Sequence, residues 1–352
     1  MNAAPGAPAL IDGATGAVTT RAELWALAES MRFDGLAPGD GLAIQLPNSV
    51  ELVAAFLAAC RQELVVFPID RDASESEVAA IIGQFGVRGF LGRGSGFSLT
   101  RQAEARPAFP PFARLVKLTS GSTGMPKGIV ATEGNLIADA ENICATMDIR
   151  PDDLNLGAIP FSHSYGFSNL VTPLLVQGTP VVVSNDYLPQ SLVEIANRYR
   201  CTVAPLIPMV FEHLAVAAHG SFETIRTFLS AGAPLAASTS RRFRERFGLD
   251  IHSFYGCSEC GGITYDRRGA AVERGTVGAA LEGVTLSTAT RRLSVRSGSV
   301  AAGYLFDATT FEPFADGTFT TDDLVELRDD GEVVLTGRAS DLINTAGKKV
   351  NP

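Results

Sequence analysis

A chain of 352 residues is long enough for two or three subdomains, each with its own apolar core. At 46% hydrophobic and 19% charged residues, the composition is that of a folded chain and excludes general disorder. The net charge of −9 argues against a general polyanion binder, because non-specific nucleic-acid affinity comes from Lys and Arg neutralising phosphates; no nucleic-acid partner is expected, and any phosphate site must be local.

The opening stretch, MNAAPGAPALIDG, lacks a basic segment followed by a long apolar one. No apolar run approaches the ~18 residues of a membrane span, so the chain reads as cytoplasmic and without a span. Residues 1–20 and 92–96 read as mobile. From 41 onward the pattern is β-α-β-α: GLAIQLPNS predicts a strand and turn, VELVAAFLAACRQ a helix, LVVFPID a strand, and SESEVAAIIGQFG a helix opened by a Ser cap. The alternation returns in TPVVVSND, LPQSLVEIANRYR, CTVAPLIP, MVFEHLAVAAHG and TIRTFLSAGA, which predicts layered α/β subdomains with mostly parallel sheets. Beyond about residue 266, short alternating runs such as TLSTATRRLSVRS and GTFTTDDLVELRDDGEVVLTGRA predict a small antiparallel, barrel-like β subdomain.

Five cysteines, odd in number and scattered, fit a reducing compartment better than a disulfide framework. Cys257 and Cys260 form a Cys-x-x-Cys, but there is no second such pair and no His-x3-5-His to complete a zinc site. A redox pair is disfavoured too, since the intervening Ser258-Glu259 places an acid beside the thiols. Structural thiols are the expectation.

The stretch richest in chemistry is LVKLTSGSTGMPKGIV, residues 115–130. Glycines let backbone N–H groups crowd an anion, hydroxyls add donors and a lysine adds a point charge, which together suit a polyphosphate cradle. It is not a Walker A loop: no Gly precedes Lys127, and Gly128 stands where Ser or Thr would hold Mg²⁺.

This loop resembles the signature of the adenylate-forming (ANL) superfamily, which includes the AMP-binding acyl-CoA synthetases. Further landmarks follow in the family's order: IPFSHSYGF (159–167), LSAGAPL (229–235), FYGCSE (254–259), TDDL (321–324) and GRASDLINTAGKKVNP (337–352). The resemblance implies a nucleotide cradle of Thr119, Ser120, Gly121, Ser122, Thr123, Gly124 and Lys127, with Gly232, Ala233 and Pro234 as a backbone wall beside adenine. It implies that Tyr255 stacks on adenine next to Gly256, that Ser258 meets the α-phosphate, and that Glu259 binds Mg²⁺. It further implies that Asp323 holds the ribose hydroxyls and that Arg338 contacts ribose or phosphate. Asp322 stands where the family usually has Gly, so the local turn is open to change. Lys127, His163 and Glu259 are the implied catalytic residues. His163, Tyr165, Phe167, Ser168, Ala231, Gly262 and Ile263 are the implied acyl-pocket lining.

The activity implied is ATP-dependent formation of an acyl adenylate from a carboxylic acid, followed by thioester formation with coenzyme A. A carrier-protein thiol, a β-lactone product, or a nucleotide-binding fragment without turnover are the alternatives. The matched pocket stretches hold no Asp and only Glu259, and a substrate ammonium would need a buried acid, so an uncharged aryl or fatty tail is expected. The expected division is 1–150, ending with the phosphate loop; 151–265, with the acyl and adenine pocket; 266–339, the antiparallel unit; and 340–352, a hinge and the start of a C-terminal domain. The chain on its own is expected to be impaired, because that domain normally supplies a catalytic lysine.

Overall fold

In the computed structural model, residues 4–94, 96–100, 109–120, 126–288, 291–339, 343–345 and 348–350 are described. The elements run β1 (Pro8–Asp12), β2 (Val18–Thr20), α1 (Arg21–Ser30), β3 (Gly41–Gln45), α2 (Val50–Arg61), β4 (Val65–Pro68), α3 (Glu75–Phe85), β5 (Gly89–Gly92), β6 (Gly96–Leu99), β7 (Ala113–Ser120), β8 (Pro126–Thr132) and α4 (Glu133–Met147). Then come β9 (Asn155–Gly157), α5 (Ser164–Gly166), a π-helical turn (Phe167–Val171), α6 (Thr172–Val176), β10 (Val181–Val183), α7 (Pro189–Tyr199), β11 (Val203–Leu206), α8 (Pro208–Ala217), β12 (Thr227–Ser230) and α9 (Ala237–Phe247). The last third is β13 (Ile251–Cys257), β14 (Gly261–Tyr265), β15 (Ala279–Ala280), β16 (Val284–Thr288), β17 (Arg292–Ser297), β18 (Gly303–Leu305), β19 (Phe311–Pro313), β20 (Thr318–Leu327) and β21 (Val333–Arg338).

Two large sheets carry the α/β layers. One has the order β19-β18-β8-β7-β4-β3-β5-β6, the other β15-β14-β13-β12-β11-β9-β10-β1-β2. Each has a parallel centre and antiparallel edges. A third sheet, β16-β17-β20-β21, is wholly antiparallel. This is the expected fold class, a mixed α/β chain with a smaller antiparallel sheet.

Local chemistry explains several elements. Ser49 caps α2 by accepting from Leu52 N–H, and every residue from Leu52 to Ala59 is buried, so α2 is a core helix rather than an amphipathic one. Ser74 and Glu77 form a capping box on α3, and Gly86 ends that helix at φ 62°, a left-handed conformation that suits glycine.

Two long-range pairings depart from chain order. The N-terminal segment read as mobile instead forms β1 and β2; β1 lies parallel to β10, with Ala9 and Leu10 fully buried. Similarly, β18 pairs with β8, so residues 303–313 complete the first sheet.

Candidate active site

Strand β7 ends at Thr119 and Ser120, and β8 returns antiparallel with Thr119 opposite Lys127 and Ser120 opposite Pro126. Gly121, Ser122, Thr123 and Gly124 lie outside the described residues. The flanking pair is a hairpin, not the strand-to-helix step of a P-loop. Gln84 steadies its far limb by donating to Pro126 O at 2.8 Å and Phe306 O at 2.6 Å. The Lys127 ammonium sits over the rings of Tyr304 and Phe306, 5.2 and 5.5 Å from their centres, which directs it without neutralising it.

The motif YGCSE spans the end of β13 and the turn into β14. Cys260 N–H donates to Cys257 O at 3.3 Å across that turn, Ala301 N–H to Glu259 O at 2.8 Å, and Ser299 Oγ to Cys260 O at 2.8 Å. Three side chains of the motif therefore leave the end of β13 and its braced turn, and each meets a different part of the chain. The Tyr255 hydroxyl donates to Asp323 Oδ2 at 2.6 Å. Ser258 Oγ shares a hydrogen bond with Ser164 Oγ at 2.7 Å, and its carbonyl accepts from the buried Lys117 ammonium at 3.5 Å. Glu259 Oε1 accepts from the Tyr304 hydroxyl at 2.9 Å. Burial, then the neighbouring carboxylate, pushes both phenols far above their ordinary range, so each remains a donor at neutral pH.

Asp323 and Arg338 are cross-strand partners on β20 and β21, and Arg338 Nε donates to Asp323 Oδ1 at 2.7 Å. A carboxylate offers about four lone-pair sites, so Asp323 retains acceptor capacity for two more donors. The Asp322 position is extended strand paired through Arg292, whose Nη2 reaches Asp322 Oδ1 at 2.6 Å, and its φ is not positive; nothing there requires glycine.

Gly256 is needed for a steric reason: a Cβ on it would come within 2.4 Å of Gly261 O across the hairpin. Gly256→Ala is expected to destabilise the chain by about 1–3 kcal/mol and to displace Tyr255 and Ser258, as measured by urea unfolding together with nucleotide affinity. An unchanged midpoint would show that the hairpin opens without cost.

His163 precedes α5, is exposed, and hydrogen-bonds Asp70 Oδ2 through Nε2 at 2.7 Å. Tyr165 is held by donation to Leu229 O at 3.0 Å and Leu206 O at 3.3 Å. Phe167 and Ser168 lie in the π-helical turn, a device often found beside functional sites; Phe167 packs edge-on against Phe56 at 4.9 Å in the core. Ala231 and Ile263 are buried with Tyr165 in one apolar cluster, and Gly262 N–H donates to Asp139 Oδ1 at 2.9 Å. Past β12, Gly232 (φ 88°), Ala233 and Pro234 form the loop into α9, with Gly232 and Pro234 exposed.

Sequence reasoning missed Lys117, Tyr304, Ser164, Asp70 and Asp139. Asp139 bears on the pocket argument, since it is a carboxylate only 2% exposed that lies outside the motif stretches. Among the described residues no group of three or more His, Cys, Asp or Glu is placed to hold a metal ion by itself. All five cysteines are free thiols. Burial pushes Cys60, Cys144 and Cys201 up to about 12, and a hydrogen bond with Cys260, then burial, raises Cys257. Replacing Cys257 by Ser together with Cys260 by Ala is therefore expected to leave ATP affinity within about twofold by equilibrium titration, an amount below 0.5 kcal/mol. A tenfold loss would give the thiols a direct role.

The described helices include none long and apolar enough to cross a membrane. The AMP-binding enzyme family model matches residues 1–109 and 113–291. Feruloyl-CoA synthase of Amycolatopsis sp is 26% identical over 365 residues, covering 93% of this chain and 74% of that protein. The 4-hydroxybenzoate–CoA/benzoate–CoA ligase of Rhodopseudomonas palustris is 29% identical over 251 residues, covering 66% of this chain and 47% of that protein. In architecture, the inhibitor-bound N-terminal domain of FACL13 from Mycobacterium tuberculosis superposes with a TM-score of 0.82 at 20% identity, covering 95% of this chain and 96% of that one. ATP-bound MatB from Rhodopseudomonas palustris gives 0.81 at 24% identity, covering 99% and 79% respectively. The matched family model covers β1 through β16, including the braced turn between β13 and β14, and the chain belongs to the AMP-binding enzyme family of the adenylate-forming superfamily.

Proposed function

We propose that this AMP-forming acid–thiol ligase activates a carboxylic acid with an uncharged aryl or fatty tail, using Mg·ATP, and passes the acyl group to coenzyme A. The observation that carries the reading is the single turn that displays Tyr255, Ser258 and Glu259, each fixed to a different distant element. A substrate carboxylate oxygen attacks the α-phosphorus and pyrophosphate leaves; a thiol sulfur then attacks the acyl carbon, AMP leaves, and the thiol proton is released. Neither step calls for an enzyme nucleophile, which accords with a site of hydroxyls, lysines and hydrogen-bonded carboxylates.

In this reading Tyr255 flanks the base, and Asp323 accepts the ribose hydroxyls while Arg338 holds its orientation. Ser258 and Lys117 face the α-phosphate, and Lys127 serves the phosphate chain. Glu259 suits Mg²⁺: it is a hard oxygen donor whose one side-chain hydrogen bond among the described residues comes from Tyr304, and Mg²⁺ commonly takes one or two carboxylates plus phosphate oxygens. When bound, Mg²⁺ would neutralise charge on the phosphates. His163, oriented by Asp70, lies at the mouth of the acyl pocket, and Tyr165, Phe167, Ser168, Ala231, Gly262 and Ile263 form or back its wall. The units 1–150, 151–265 and 266–339 would meet around this site.

The relatives named for feruloyl and benzoate ligation support an aryl acid, as does the apolar cluster around Tyr165. The test is pyrophosphate exchange across a panel of aryl, fatty and amino acids, with CoA-thioester formation followed by mass. Exchange with aryl or fatty acids, and a thioester when CoA is added, is expected. Signal from α-amino acids alone would defeat the uncharged tail.

A further inference from the structure

Asp139 lies on the inner side of α4, 2% exposed, with Oδ1 accepting Gly262 N–H at 2.9 Å. The carboxyl group presses on the hairpin so closely that a Cβ on Gly261, which has φ 71°, would fall 2.2 Å from Oδ1. Oδ2 has no hydrogen-bond partner among the described residues. Tying α4 to the hairpin needs one acceptor, which asparagine would supply without burying a charge. The second oxygen is therefore unexplained by packing, and leaving it without a donor is costly.

A second observation falls in the same region. Asn169, in the π-helical turn directly after Tyr165 and Phe167, is 1% exposed. Its Nδ2 donates to Tyr165 O at 3.1 Å, while its Oδ1 also lacks a donor among the described residues. Helix α4 packs against both the π-helical turn and β14, so two acceptor oxygens without donors sit on neighbouring elements. One is anchored to Gly262 and the other to Tyr165, two residues assigned above to the acyl pocket.

We infer that Asp139, assisted by Asn169, is a specificity-determining residue that accepts a hydrogen bond from a hydroxyl or amino group on the tail of the acid. The inference rests on the activity proposed above and narrows its substrate class. An acceptor-only environment rewards a donor and repels a group that offers only lone pairs, such as a methoxy oxygen. A site built to hydrogen-bond a substrate hydroxyl discriminates strongly against its absence, and about 10²-fold in kcat/KM is expected here.

The experiment uses aryl acids differing in one group, hydrogen, hydroxyl, amino or methoxy, with that group moved around the ring. Turnover is read by pyrophosphate release. Affinity of the matching acyl-sulfamoyl adenosines is read by titration, which needs no turnover and so separates this inference from the activity itself. The wild-type chain is expected to favour hydroxyl or amino over methoxy and hydrogen at one ring position by about 10² in either readout. Asp139→Asn keeps an acceptor for Gly262 N–H but offers an N–H donor at the second position, and is expected to collapse or reverse the hydroxyl-to-methoxy ratio. Equal wild-type binding of hydroxyl and methoxy analogues at every position would overturn the inference, with no variant needed. An unchanged ratio in a folded Asp139→Asn protein would do so too.

Discussion

Glu259→Gln is expected to slow adenylation by about 10²–10³, the usual cost of removing one preorganised electrostatic contact to a reacting phosphoryl group. Glutamine keeps the oxygen that accepts from Tyr304 and nearly the same volume, so the turn held by Ala301 and Ser299 should persist. What is lost is the negative charge that the proposed function turns toward Mg²⁺. Single-turnover pyrophosphate release should fall, and the Mg²⁺ concentration for half-maximal rate should rise, while ground-state ATP binding changes little. An unaltered Mg²⁺ dependence would remove Glu259 from the metal site.

Asp323→Ala should damage both folding and nucleotide binding. The carboxylate is only 11% exposed and serves the Tyr255 hydroxyl and the Arg338 guanidinium together. Its removal leaves a half-buried cation and a half-buried phenol without their acceptor. The expected destabilisation is about 3 kcal/mol, the lower end for breaking a buried pair, since Arg338 is 26% exposed and water compensates in part. Nucleotide affinity should fall at least about tenfold, with adenosine weakened more than pyrophosphate, because the lost contact is assigned to the ribose. Urea unfolding and competition titrations measure the two effects separately. Equal weakening of adenosine and pyrophosphate would place Asp323 elsewhere in the site.

Local elements were legible wherever a short-range rule governed them. Ser49 and Ser74 mark helix starts because a cap is satisfied within three residues. The alternation in Thr318–Leu327 shows a strand because its faces differ in burial. The site residues named from motifs were legible through resemblance, not through geometry. The partners that position them were not, because the contacts close long loops: His163 reaches Asp70 across 93 residues, Tyr304 reaches Glu259 across 45, and Gly262 reaches Asp139 across 123. No periodicity in either segment encodes such a meeting. The same reason hid the pairing of β1 with β10, where a Pro- and Gly-rich opening read as mobile although a distant strand edge orders it. The search for a buried acid covered the motif stretches alone, and Asp139, on a helix packed against β14, lay outside them.

The pairing of β18 with β8 also sets an order of events during synthesis. A ribosome making this chain releases β7 and β8, with the lysine of the phosphate hairpin, some 170 residues before Gly303–Leu305 can cover the β8 edge, an interval of roughly 10–30 s at typical elongation rates. Until then the edge at Gly128–Val130 has no β-strand neighbour on that side, and the ring of Tyr304 that underlies Lys127 and steadies Glu259 does not yet exist. The site therefore matures late: β18 covers the β8 edge and delivers the Tyr304 contact to the turn of the second sheet, and β19 and the Asp323–Arg338 pair follow only after it. Nascent chains stopped short of residue 303 should expose the β8 edge to the wrong strands, a template for aggregation until β18 covers it.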